Sequence, residues 1–370
     1  MSRNATPKFE HLYVHVPFCH SICGYCDFCR VRYNEKQAEW YLQVLKKERD
    51  HFSYGDTLTT LYLGGGTPTS LSDDQFARLL AICQQSKPVA EYTIEANPES
   101  LSSEKIAIMK AHGVNRVSLG IQASQDGLLK RIGRHHSFAQ VCTCISSLRK
   151  AKIENISGDL MYGLPSQSLD DFKVSLKALC DLRLPHLSLY SLTLEEGSLF
   201  YKQGQKQVSA QAEEEFYFTA LELLKKQGYI QYEISSFCLP GFQSRHNLHY
   251  WDYGDFLGLG PGAASKAGAH RWQNARRFKD YEAGLRDEDI KLSLSEQHFE
   301  FVMMNLRKKA GFAMKTFQSR YGLPFDSAFL MTNRLLRQGK LKKYQQAGTE
   351  FLCVSDDWYP LLNDVLTEFL

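Results

Sequence analysis

The sequence predicts an α/β fold on a parallel sheet, followed by a smaller, mainly helical unit. Three observations predict it. Short β-rich segments alternate with amphipathic helical stretches from residue 11 to about residue 195, the pattern of βαβ units. Polar and glycine-rich residues recur just after the strand ends, at Cys19, Gly64–Thr67, Asn97, Gln122 and Gly163. Parallel α/β folds collect their ligand site at that end of the sheet. From about residue 280 the composition shifts towards helix formers.

Strands are expected over 11–18, 57–63, 91–96, 116–121, 156–162 and 186–192. Between them, helices are expected over 34–52, 72–85, 102–112, 138–150 and 168–182, with Gly113 where a C-cap glycine falls. A long helix follows over 212–227, closed by Gly228, and then a strand over 229–237. Residues 239–268, rich in Gly and aromatics, read as a functional loop. Helices over 298–309, 314–321 and 326–338 and a small strand pair over 352–359 suggest a helical or winged-helix-like domain. The expected division is 1–275 and 276–370. Six parallel strands fit an open doubly wound sheet or an incomplete barrel, and periodicity does not choose between them.

The totals exclude several functions. The 370 residues carry 44 Lys plus Arg and 41 Asp plus Glu, a net charge of +3. A protein that coats nucleic acid carries a clustered basic surplus instead. No apolar run approaches the ~18 residues of a membrane span, and residues 1–10 lack the apolar core of a secretory signal. A soluble, cytoplasmic protein is expected. In a reducing compartment the ten cysteines are not a disulfide framework. Most are scattered and suit small buried apolar positions. Four, however, fall within eleven residues, from Cys19 to Cys29.

Cys19, Cys23 and Cys26 have C-x3-C-x2-C spacing on the loop after the first strand. Three thiolates so placed can hold three corners of a [4Fe–4S] cluster, leaving the fourth iron to a non-protein ligand. The rival is a zinc knot with Cys29 as fourth ligand, but zinc sites are usually built from paired C-x2-C units. The x3-then-x2 order favours the cluster.

That motif resembles the radical S-adenosylmethionine (SAM) superfamily. The resemblance implies that SAM chelates the open iron and that the reduced cluster releases a 5′-deoxyadenosyl radical. It also implies a three-quarter (β/α)6, TIM-like barrel, which decides for the incomplete barrel. Further segments resemble the oxygen-independent coproporphyrinogen III oxidase family: Tyr13-Val-His-Val-Pro-Phe-Cys19, Gly64-Gly65-Gly66-Thr67-Pro68, Glu95-Ala-Asn-Pro98, Gly120-Ile-Gln122 and Asp159-Leu-Met-Tyr-Gly-Leu-Pro165. On this resemblance SAM is held by Tyr13, Tyr25, Gly64, Gly65, Gly66, Thr67, Glu95, Gln122, Arg134 and Asp159. The glycines would let backbone approach the ligand. Glu95 would accept from its amine or ribose, Gln122 would both donate and accept, and Tyr25 would pack on the adenine. Asp159 and Arg134 would hold polar groups of a second ligand, so two SAM molecules are an expectation. A lone Glu, Asp or Arg is ordinarily a solvated charge; strand-end placement and the motif match raise these above it.

Two departures point from the oxidases to the related HemW group of haem chaperones. Phe28 stands where the oxidases have a further cysteine, and the cluster motif begins as early as residue 19. His246-Asn-Leu-His-Tyr250-Trp251 also matches that group's H-N-x-x-Y-W signature. The resemblance implies haem b as cargo, ligated by His246 and covered by Tyr250 and Trp251, with the compact Gly258–Pro261 loop beside it. His249 is the alternative ligand, and the plainer reading of His246 is a histidine packed against the barrel. His135 and His136 read as polar loop residues. The implied partners are haem or porphyrin, apo-haemoproteins, an electron donor for the cluster and a second copy in a homodimer, with no nucleic acid. A true coproporphyrinogen III oxidase is the alternative. Radical modification of RNA is disfavoured by the near-neutral charge.

Overall fold

The computed structural model describes residues 9–52, 58–84 and 87–370. Six parallel strands form its centre: β1 (His11–Val16), β2 (Thr60–Gly65), β3 (Glu91–Ala96), β4 (Arg116–Gln122), β5 (Asn155–Tyr162) and β6 (His186–Ser191). Leu257–Leu259 adds in parallel outside β1. Ser236–Cys238 adds antiparallel outside β6, with Ile230–Gln231 beyond it. The nine strands lie in one open sheet with Leu257–Leu259 and Ile230–Gln231 at its edges, so the barrel is incomplete, as expected. All seven residues of β4 are buried although polar and apolar residues alternate along it.

The expected strands and helices from 11 to 192 form with small changes at their ends. Asn34, Ser72, Ser102 and Ser168 lie just outside their helices and accept the N–H of the residue three places on. A capping side chain reads as helix in the sequence because it belongs to the same polar–apolar pattern. Gly113 takes φ +79° after its helix. Thr57 and Gln85, at the ends of two expected elements, lie outside the described residues.

Three expectations are corrected. The strand over 229–237 breaks into Ile230–Gln231 and Ser236–Cys238, because Ile234 N–H turns away to the carbonyl of Arg307. The loop over 239–268 is largely folded, into the helix Arg245–Trp251 and the strands Leu257–Leu259 and Ala264–Ala267. Its aromatic content reflects burial, as at Tyr253 and His246. The strand pair over 352–359 is instead a hairpin of Leu341–Gln346 and Thr349–Val354, joined by Phe312–Ala313. Its turn, Ala347-Gly348, has positive φ at both residues, the two-residue geometry that matches strand twist. Alanine there hides the turn from a sequence reading.

The helices Leu294–Asn305, Met314–Tyr321, Phe325–Ala328 and Thr332–Arg337 pack with that hairpin around Phe301, Phe317, Phe325 and Leu352, a core separate from the barrel's. Among the described residues no helix is long and apolar enough to cross a membrane.

Candidate cluster and cofactor site

The loops at the C-terminal ends of the strands enclose a cavity of about 480 Å³. Cys19, Cys23, Cys26, Tyr25, Gly65, Gly66, Thr67, Glu95, Gln122, Arg134 and Asp159 all line it. The cysteine loop is braced along its length. Thr67 N–H donates to Phe18 O at 2.7 Å, Gly24 N–H to Ile132 O at 3.3 Å, and Phe200 N–H to Gly24 O at 2.8 Å. A Cβ on Gly24 would stand 2.2 Å from the Phe200 ring, so only glycine fits there.

One hydrogen-bonded chain ties the cavity's polar residues to the cysteine loop. Arg134 donates to Tyr25 OH at 3.0 Å and to Asn97 Oδ1 at 2.6 Å. Asn97 Nδ2 donates to Thr67 Oγ1 at 3.0 Å, which lies 3.6 Å from Cys19 Sγ. On the opposite wall Glu95 accepts from Tyr62 OH at 2.7 Å and from Gly65 N–H at 3.0 Å. Asp159 accepts from Ser118 Oγ at 3.1 Å. Burial and the neighbouring Asp159 push the Glu95 carboxyl up to about 7. Burial, opposed by the Ser188 and Ser118 hydroxyls, pushes Asp159 up to about 6. Two acids so raised make a wall that a cationic group would relieve.

Gln122 reaches the cavity because its φ is +67° and the register with β5 shifts there. Such strain in a non-glycine residue is held only by surrounding structure. The glycine run is also required by its protein neighbours. A Cβ on Gly64 would meet the Glu95 carboxylate at 2.6 Å, one on Gly65 the His15 ring at 2.2 Å, and one on Gly66 the carbonyls of Val16 and Phe18 at 2.7 Å. Neighbouring protein atoms crowd out a side chain at all three positions, and Gly65 and Gly66 face the cavity.

The residues present fit a thiolate-held cluster with a polar ligand beside it. Burial raises the Cys19 thiol to about 11 and also raises Cys26, and iron ligation takes the thiolate form. Arg134 Nε is buried without a partner, a donor that a ligand acceptor would satisfy. Cys29 stands apart from the lining, its Sγ 3.6 Å from Arg276 O. Among the described residues no three His, Cys, Asp or Glu side chains meet at one ion position.

Tyr13, Gly64 and His246 do not line the cavity. Tyr13 OH pairs with His15 Nδ1 at 2.9 Å inside the barrel. His246 lies at the opposite end, among the first residues of the strands, and is 1% exposed. Its Nδ1 pairs with Thr60 Oγ1 and its Nε2 with Tyr250 OH, both at 2.7 Å, and its ring stacks on Tyr62. In this position neither nitrogen is open to an iron. The pairing to Thr60 is shared by His11, whose ring stacks on His249 at 3.3 Å. Asn97, one of the polar residues expected at the strand ends, also lines the cavity, as do Ser118, Tyr190 and Glu195, for which the sequence reading proposes no role. The alternation Ser118-x-Gly120-x-Gln122 along β4 was a usable signal for Ser118.

Comparison with known proteins places these features in a family context. The radical SAM superfamily profile matches residues 13–179, and that of the HemN C-terminal domain matches 292–356. The heme chaperone HemW of Lactococcus lactis is 36% identical over 375 aligned positions, covering 98% of both chains. The heme chaperone HemW of Bacillus subtilis is 37% identical, over 86% of this chain and 88% of its own. That of Escherichia coli is 30% identical over 97% of each. Among solved structures, coproporphyrinogen III oxidase (HemN) from Escherichia coli, a radical SAM enzyme, superposes with a TM-score of 0.85 at 22% identity. The match covers 99% of this chain and 91% of that one, a likeness of fold.

Proposed function

Because the chain belongs to the HemW heme-chaperone family of the radical SAM superfamily, we propose that it binds haem b and delivers it to apo-haemoproteins. The observation that carries this reading is the match to heme chaperones over nearly the whole chain. Phe28, in place of the oxidases' further cysteine, supports it against decarboxylation.

The superfamily is one of [4Fe–4S] clusters and SAM. When bound, that pair supplies one-electron chemistry at the SAM sulfonium. In our reading Cys19, Cys23 and Cys26 hold three irons, and Arg134, Asn97 and Thr67 fix the loop that carries them. Glu95, Gln122 and the Gly65–Gly66 backbone bind the SAM amine and ribose, and Tyr25 borders the adenine. Asp159 and Arg134 offer a second set of polar partners, and we extend the proposal to a second SAM there. A cavity of about 480 Å³ is of small-molecule size, and SAM stoichiometry by equilibrium dialysis checks that extension.

We assign haem ligation to His246, on condition that Nε2 leaves Tyr250 OH; His249 is the second candidate. An external electron donor for the cluster, a homodimer, a cytoplasmic location and a division at 275/276 complete the proposal.

Anaerobic reconstitution with iron and sulfide, then haem titration and incubation with coproporphyrinogen III, SAM and a reductant, tests it. Tight haem binding without a decarboxylated product is expected. Steady formation of protoporphyrinogen IX would replace the chaperone reading with the oxidase.

A further inference from the structure

We infer that Glu91 is the positioning residue that latches the His246 segment to the barrel floor, and that its release presents the imidazole. The inference deepens the haem reading above and rests on it for the identity of the ligand, though not for the latch itself.

Glu91 is the first residue of β3 and is 3% exposed. Its carboxylate accepts from the N–H groups of Arg245 and His246, both at 2.9 Å, and from Ser244 Oγ at 3.3 Å. One buried anion thus anchors the start of the helix Arg245–Trp251. Hydrogen bonds to a buried charge are about twice as strong as neutral ones, so this carboxylate fixes where the helix begins. Held there, His246 has both nitrogens engaged and its ring on Tyr62.

The floor also contains the groups of a second state. Arg116, 3% exposed, approaches Glu91 only as a 3.8 Å ion pair. Its Nε and Nη1 are buried without hydrogen-bond partners. Leaving such buried donors unmet is unfavourable. All three hydrogen bonds recorded for the carboxylate go to the start of the helix, and Arg116 keeps two unmet donors beside it. If the helix lifts, the fork of Arg116 can take the freed oxygens, offsetting part of what the helix loses. Two arrangements of one carboxylate are the physical requirement for a latch.

Hydrogen exchange at the Arg245 and His246 amides, in protein without haem, reads the latch directly. Glu91→Gln keeps the shape and removes the charge, and exchange there is expected to rise about tenfold, the worth of a charge-assisted hydrogen bond. Haem association, followed at the Soret band, should quicken by a similar factor. Tyr250→Phe frees Nε2 without touching the anchor, so association should quicken while those amides exchange as in the wild type. Unchanged exchange in Glu91→Gln overturns the latch. Should that variant not fold, Glu91→Asp shortens the reach of the carboxylate while leaving the Ser244 cap on Asn247 N–H in place, and unchanged exchange there overturns it equally. Faster exchange, with haem binding indifferent to both variants and to His246→Ala, would leave the latch standing and overturn His246 as the ligand.

Discussion

The two ends of the partial barrel are built from opposite chemistry. At the C-terminal end of the strands, Glu95 and Asp159 face an open cavity with their carboxyls raised towards neutrality. At the N-terminal end, His246 and His11 fill a closed floor with their imidazoles held neutral: burial, with other histidines nearby, pushes His246 down to about 3 and His11 to about 4. The first end has acids without enough partners, the mark of a site waiting for a ligand. The second has bases with every ring nitrogen of His246 partnered, the mark of packing or of a closed state. The same resemblance suggested both as ligand sites, yet the first faces a cavity while the second has both nitrogens of His246 taken.

The largest effect expected is at the open end. Cys23→Ala should abolish iron and sulfide incorporation on anaerobic reconstitution while leaving haem binding intact, and Cys29→Ala should incorporate iron like the wild type. Loss of haem binding with the cluster would erase the distinction between the ends. His246→Ala should lower haem affinity about tenfold or more and cost about 2 kcal/mol of stability, since Thr60 and Tyr250 lose a buried partner. Denaturant unfolding and Soret titration separate the two effects. Gly66→Ala should cost about 1–3 kcal/mol by forcing a Cβ against two carbonyls, seen as a lower unfolding midpoint.

The smallest expected effect has opposite sign at the two ends. Glu95 moves up on folding, from 4.5 to about 7. Its contribution is full below 4.5 and lost as pH rises through about 7. Glu95→Gln should therefore gain stability relative to wild type over that rise. His246 moves down, from 6.5 to about 3. Its contribution is full above 6.5 and lost as pH falls through about 3, so the cost of His246→Ala should shrink towards acid pH. Thermal midpoints at about pH 5 and about pH 7.5 check both slopes, and slopes of the same sign would break the contrast.

How much was legible in the sequence differs between the ends for a physical reason. Cavity residues lie within a few positions of strand ends, so local pattern and motif found Cys19, Thr67, Glu95 and Gln122 together. Ser118 lies inside a strand, away from the strand-end pattern, and the alternation with Gly120 and Gln122 is the one sequence signal that points to it. The floor is non-local: His246 meets Thr60 across 186 positions and Glu91 across 155. No local signal connects them.

The sequence by itself determined the strand–helix alternation, the caps, the three-cysteine spacing and the family, because each is written in residues close together in the chain. Tertiary structure alone decided which neighbours crowd the glycine run, namely Glu95, His15 and the carbonyls of Val16 and Phe18. It also decided that the segment over 239–268 is folded, and that His246 points into the floor with both nitrogens taken. These depend on which distant side chain fills the space next to a residue, and that is fixed only when the sheet brings them together.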